Sequence, residues 1–314
     1  MAAGLIDLSI IIVSWNVSDL LAACLESILS RSGADAPRIE IVVVDSASTD
    51  NTVPLITARF PQVRLLPQAD NLGFVRCNNI GLAAAQGRHL LLLNPDTEII
   101  GDALAQMIAF LDANPDVGIV GPHTLNTDRT TQSTRRRFPS VALAFFESTW
   151  LQPLAPRSML DHFYVNGPPD SAVLDVDWVQ GSALMAHRAV YEQIGGLDEG
   201  FVMFSEELDW CRRAKDAGWR VVYLGSASIV HHGGRSTDQV IAQRHIYFQQ
   251  SKLRYYRKYH GWLVAQTLRY FLLLNYAWQL ALEAVKGALG HKRDLRRQRV
   301  HAYLQVLRTG LKVT

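Results

Sequence analysis

Residues 8–14 form a nearly unbroken apolar run rich in isoleucine, and Leu20, Leu21, Cys24, Leu25 and Ile28 follow at helical spacing after Ser18. The pattern predicts strand, loop, helix. The unit recurs, with a buried strand at 39–44, a polar turn at 45–50, a short helix at 52–59 and a third strand at 63–66. A helix over 78–86 with Gly87 as its C-cap, a fourth strand at 89–93 and a helix within 101–114 complete the first half. Strands without alternation, separated by helices, imply a sheet covered on both faces and mostly parallel.

From about 126 to 169 neither period is sustained: Arg135-Arg136-Arg137, five prolines and scattered aromatics predict loops and short helices. Regularity resumes at 176–186, followed by a helix at 188–194 stopped by Gly195-Gly196. Ser205 can cap a helix over 206–217, and strands are expected at 220–224 and 227–230. The stretch 262–289 is strongly apolar, but Arg269, Glu283 and Lys286 interrupt it, which makes a poor transmembrane helix. Its aromatics, and the basic residues around 292–299, suit either an amphipathic element on an anionic membrane or a packed helical hairpin with a solvated basic tail.

A chain of 314 residues with 48% hydrophobic and 19% charged positions can bury a substantial core. Its net charge of +2 supplies no global field for nucleic acid, and none is expected as a partner. The three cysteines lie far apart without metal-ligand spacing, which fits a reducing cytoplasm, and no signal peptide is evident.

The candidate chemistry sits where strands end. Asp96, after Leu90–Leu93 and the break at Pro95, is placed to face a crevice at the strands' C-terminal edge, where it can hold a divalent metal and through it a diphosphate. Capping of the next helix by Asp96 or Thr97 is the plain alternative. Asp45 ends its strand in the same way, before Ser46, and can accept hydrogen bonds from a ribose or base. No glycine-rich phosphate loop exists anywhere, so another cation must neutralise any phosphates. Asn71-Leu72-Gly73-Phe74 with Arg76 gives a polar set at a helix start. Glu206, Glu207 and Asp209 open another helix, where mutual repulsion or partial burial would raise one pKa toward that of a general base, Glu207 or Glu206 being the natural candidate. His231-His232-Gly233-Gly234-Arg235 offers an imidazole for a manganese-like ion and a guanidinium for phosphate oxygens.

Taken in order, SIIIVSWN, VVVDSASTD, NLGFVRCNNIG, LLLLNPDTEI, VQGSALMAHR, GGLDEGFVMFSEELDWCRR and VVYLGSASIVHHGGRS resemble the inverting, family 2 glycosyltransferases of the GT-A class, particularly rhamnosyltransferase-like members. The resemblance spans roughly 8–236. It implies a GT-A α/β fold over 1–240, with a mostly parallel Rossmann-like sheet; beyond it, residues 241–314 form a C-terminal helical region for which the aromatic and basic residues leave membrane association open. It also implies Ser14, Asn16, Asp45, Ser46, Asn71, Gly73, Arg76, Asn94, Asp96 and Arg235 as donor contacts, and Asp96 with His231 as ligands of Mn2+ or Mg2+. Gln180, Gly181 and Ser182 would meet the acceptor, and Glu207, Glu206 or Asp209 would be the base. Asn94 departs from the Asp-x-Asp-type motif by replacing its first acid with a neutral oxygen ligand. The implied activity moves a sugar, rhamnose from dTDP-rhamnose in the first instance, onto a saccharide or polyprenyl-diphosphate-linked acceptor in cell-envelope polysaccharide synthesis. The enzyme would work in the cytoplasm, or peripherally on the inner membrane face. A nucleotidyltransferase, or a non-catalytic nucleotide-sugar-binding protein, is the alternative.

Overall fold

The computed structural model describes residues 5–30, 37–233, 241–290 and 292–312. In chain order the first elements are β1 (Leu8–Ser14), α1 (Ser18–Leu29), β2 (Ile39–Asp45), α2 (Thr52–Arg59), β3 (Arg64–Pro67), α3 (Phe74–Ala84) and β4 (His89–Leu93). Then come β5 (Thr97–Ile99), α4 (Ala103–Ala113), β6 (Val117–Leu125), β7 (Thr131–Gln132), β8 (Arg135–Arg136), α5 (Val141–Phe146) and α6 (Arg157–Phe163). The rest are β9 (Val173–Val176), β10 (Trp178–Val179), β11 (Ala183–His187), α7 (Arg188–Ile194), α8 (Glu206–Asp216), β12 (Arg220–His231), α9 (Ile241–His260), α10 (Trp262–Ala288) and α11 (Arg293–Thr309).

Contacts divide the chain into two compact units, one of residues 1–138, 161–199 and 207–236, the other of 139–160, 200–206 and 237–314. The first unit holds the main sheet, whose order is β3-β2-β1-β4-β11-β6-β12-β5, with β7 on β6 and β9 on β12. Its first four strands are parallel. Beyond them the sheet is mixed: β11 runs antiparallel to both β4 and β6, while β12 is parallel to β6 and antiparallel to β5 and β9. The cause is the excursion between β6 and β11, which returns the chain to the edge where β4 ends, so that Ala183 pairs with Leu93.

Both faces of the parallel strands are covered, as unbroken apolar strands require. Leu8, Ile10 and Ile12 with Ile41, Val43, Leu91 and Leu93 pack beneath α1, α2 and α4, while Val13, Val42 and Val44 meet Cys77 of α3 on the other side. Each fully buried isoleucine contributes about 2 kcal/mol of transfer free energy.

Three local expectations are corrected. The third helix begins at Phe74, behind Gly73 at φ 79°, and its C-cap is Ala85. Gly87 is there for space, since a Cβ would stand 2.5 Å from the Ser9 nitrogen. The two strands expected after 220 are one, joined across a register shift between Leu224 and Ser228, where a Cβ on Gly225 would lie 2.2 Å from the Asp170 carbonyl oxygen.

In the second unit, α9, α10 and α11 pack on one another and α10 also meets α5. Buried Lys252 donates to the Glu147 carbonyl at 2.9 Å, and buried Asn275 accepts from the Trp150 amide at 3.0 Å.

Candidate active site

Asp96 and Thr97 cap no helix. Thr97 opens β5, and the following helix is preceded by Asp102 as its N-cap. Because β5 pairs antiparallel with β12, placing His231 opposite Thr97, residues from distant parts of the chain converge. His231 Nε2 lies 3.3 Å from Asp96 Oδ1, and the Asn94 side-chain amide reaches the same nitrogen at 3.3 Å. The amide of His232 donates to the Asp96 carbonyl at 2.9 Å, which locks the turn, while its ring is engaged by Glu98 and Thr127.

Gln132 fixes the imidazole. Its Nε2 donates to Asn126 Oδ1 at 3.0 Å, leaving Oε1 to accept from His231 Nδ1 at 2.7 Å. The other ring nitrogen then presents a lone pair to the Asp96 carboxylate. In the neutral ring that lone pair faces both the Asn94 side-chain amide and the Asp96 carboxylate, where a positive charge would be stabilised. An imidazole nitrogen and a carboxylate oxygen so placed would suit a divalent ion. Among the described residues no group of three His, Cys, Asp or Glu converges, so further ligands would come from Asn94 or from a bound diphosphate.

Across the same edge, β1 and β2 present a second polar group. Buried Asp45 accepts from the Ser48 amide at 2.9 Å and from its hydroxyl, and the Asn16 amide donates to Ser48 Oγ at 2.9 Å. Asn16 Oδ1 in turn accepts from the Thr49 amide at 2.7 Å. Asn71 Oδ1 accepts from Ser46 Oγ and from the Gly73 amide, each at 3.0 Å. Asn16 and Ala47 hold left-handed backbone at φ 53° and 58°, so this loop cluster is shaped against local preference. The Ser14 hydroxyl is buried there with no hydrogen-bond partner among the described residues. Arg76, in the first turn of α3, is exposed and 3.5 Å from Glu199, and Arg235 lies outside the described residues.

The third group joins the first through three consecutive residues. The Gln180 amide donates to the Thr134 carbonyl, while the Ser182 carbonyl accepts from the Asn94 amide, both at 2.9 Å. The Gly181 amide donates to the Glu207 carboxylate, and a Cβ on Gly181 would meet the Glu207 side chain at 3.4 Å. Glu207 Oε2 and the Ser182 hydroxyl are buried without hydrogen-bond partners among the described residues. Burial pushes the Glu207 pKa up, against the backbone amides and the Arg136 charge that pull it down.

Its neighbours differ. Asp209 is fully buried and tied to Arg213 at 2.9 Å, which also donates to the carbonyls of Ile194 and Gly196. Glu206 is buried and belongs to the second unit. Sequence reading missed Gln132 and Arg136, the latter held with its guanidinium 4.5 Å from the Tyr164 ring centre.

Residues 9–169 match the family described as Glycosyl transferase family 2. The chain is 28% identical over 221 residues to an N-acetylglucosaminyl-diphospho-decaprenol L-rhamnosyltransferase of Mycobacterium tuberculosis, covering 67% of this chain and 72% of that one. It is 24% identical over 266 residues to the rhamnosyltransferase WbbL of Escherichia coli, covering 78% and 91%. Among solved structures, a mannosyltransferase from Pyrobaculum calidifontis in complex with GDP-Man and Mn2+ superposes with a TM-score of 0.57 at 18% identity, over 98% of this chain and 86% of that one. With the family matched over half its length and the sheet shared with such enzymes, the chain belongs to glycosyl transferase family 2 and is a GT-A glycosyltransferase similar to rhamnosyltransferases.

Proposed function

We propose that this enzyme transfers rhamnose from dTDP-rhamnose, with inversion at the anomeric carbon, to a polyprenyl-diphosphate-linked saccharide in polysaccharide assembly. The observation that carries the reading is the continuity of Asp96, Asn94, Ser182, Gly181 and Glu207. A carboxylate with a raised pKa sits one residue from a strand end that leads, through one backbone hydrogen bond, to the motif of Asn94 and Asp96. The polar cluster of Ser14, Asn16, Asp45, Ser46, Asn71 and Gly73 would receive the nucleoside.

Asp96 and His231 would hold Mn2+ or Mg2+, which when bound supplies positive charge to the diphosphate of the donor. Deprotonated Glu207 takes the proton of the acceptor hydroxyl as its oxygen attacks from the face opposite the nucleotide, and the nucleoside diphosphate departs with the bonding pair. Gly181 keeps the carboxylate aimed without filling the space before it. Gln180, Gly181 and Ser182 would line the acceptor's approach. Asp209 is fully buried and committed to its ion pair with Arg213. The rhamnosyl and decaprenyl-diphosphate terms in the name of the Mycobacterium tuberculosis relative support the choice of sugar and acceptor, and the Mn2+ of the Pyrobaculum complex supports the cation.

Nucleotide sugars screened by thermal shift with and without Mn2+ test this directly. dTDP-rhamnose at a hundred times its Kd should add about 2.7 kcal/mol of apparent stability, and only with the cation present. Stronger protection by UDP-hexoses would overturn the donor assignment, and release of pyrophosphate from a nucleoside triphosphate would overturn the reaction class.

A further inference from the structure

Helix α10 runs for 27 residues, and no helix among the described residues is long and apolar enough to cross a membrane. Yet one side of α10 is bare. Leu263, Tyr270, Leu274, Trp278, Leu282, Val285 and Leu289, just past its end, recur at spacings of three, four or seven and fall on about a third of the helix circumference. Tyr270, Leu274, Trp278 and Val285 are 64%, 60%, 52% and 58% exposed. No acid interrupts the stripe, because Glu283 faces the other way, buried against Arg296. The opposite side, with Leu268, Leu272 and Tyr276, is buried within the second unit.

Charge decides what covers such a face. Residues 262–309 contain eight lysines and arginines against two acids, Glu283 and Asp294, although the whole chain carries only +2. Lys286, Lys292, Arg293 and Arg297 are exposed where α10 gives way to α11. A second copy would set two strongly positive faces against each other, whereas an anionic lipid surface complements them. Tryptophan and tyrosine within the stripe also suit the boundary between headgroups and acyl chains.

From this we infer that the second unit binds anionic lipid bilayers peripherally, α10 lying in the interface with its stripe among the acyl chains and the start of α11 on the headgroups. The surface stands independently of the sugar-transfer reading, since its occupant is lipid rather than donor or acceptor.

The full-length protein should sediment with vesicles of phosphatidylcholine containing about a third phosphatidylglycerol, and bind pure phosphatidylcholine about tenfold or more less tightly. Raising salt from about 0.1 M to about 1 M, which shortens the screening length from about 10 Å to about 3 Å, should release most of it. The triple variant Lys286→Glu, Arg293→Glu, Arg297→Glu and the separate variant Leu274→Glu, Trp278→Glu should each lose vesicle binding at least tenfold while keeping their circular dichroism and thermal midpoint. Because donor binding is untouched in both, retained donor protection separates failure of this surface from failure of the catalytic reading. Absence of vesicle binding in the parent protein, equal binding by the variants, or a concentration-dependent dimer dissolved by Leu274→Glu, Trp278→Glu would each overturn the inference.

Discussion

The two ends of the parallel strands use the same residue types to opposite effect. At the N-terminal end, His89 opens β4 with its ring 3.0 Å from Asp112 and centred 4.7 Å from that of His187. Arg88 there bridges Asp112 and Asp7, reaching them at 2.9 Å, and Asp7 also accepts from the Arg38 amide. At the C-terminal end, His231 and Asp96 face each other, and among the described residues their side-chain partners are the neutral amides of Asn94 and Gln132. An acid beside an imidazole is structural when a guanidinium closes the charge; among the described residues no guanidinium pairs with Asp96 at the C-terminal edge.

The largest break in this contrast is Glu207→Gln, which should lower kcat about a hundredfold or more while leaving donor binding intact. The base works deprotonated and burial raises its pKa, so activity should fall with decreasing pH at a higher value than an ordinary carboxylate would give. A pH–rate profile checks both, and an unchanged kcat in the variant would falsify the assignment. Next comes Gln132→Ala, which frees the His231 ring to turn and should weaken Mn2+ binding about tenfold by calorimetry. Unaltered Mn2+ affinity would show that Gln132 does not orient the ligand.

The smallest effect belongs to the closed end. Arg88→Met should cost about 1 kcal/mol in denaturant unfolding, because its ion pairs are partly exposed, with KM unmoved. Burial also depresses the pKa values of His89 and His187. The unfolded chain, whose histidines titrate near about 6.5, then binds more protons below that pH than the folded one, so stability should decline from pH 7 to pH 5. Denaturant midpoints at the two pH values test the sign.

Much of the open end was legible in sequence because its acids follow apolar strands: Asp45 after Val42–Val44 and Asp96 after Leu90–Leu93 stand out by contrast alone. Gln132 and Arg136 did not, since β7 and β8 are two residues long and no periodicity can register in so short a strand. The start of α3 was misplaced because Asn71-Leu72-Gly73 has the composition of a turn, while Phe74 and Val75 already belong to the helix. The parallel half of the sheet followed from its unbroken apolar runs. The reversal of β11 did not, because strand direction depends on where a long irregular excursion re-enters. The choice among Glu206, Glu207 and Asp209 stays open in sequence, because the Arg213 pairing of Asp209 and the contact of Glu207 with Gly181 are tertiary.

The contact between Asn94 and His231 joins positions 137 apart in the chain. Closing so long a loop comes late in folding, after the local β–α units have formed. A polypeptide emerging from the ribosome can therefore complete its first four strands before Asn94 and Asp96 have any His231 to meet, and a product ending ahead of β12 would carry the parallel half of the sheet without that contact.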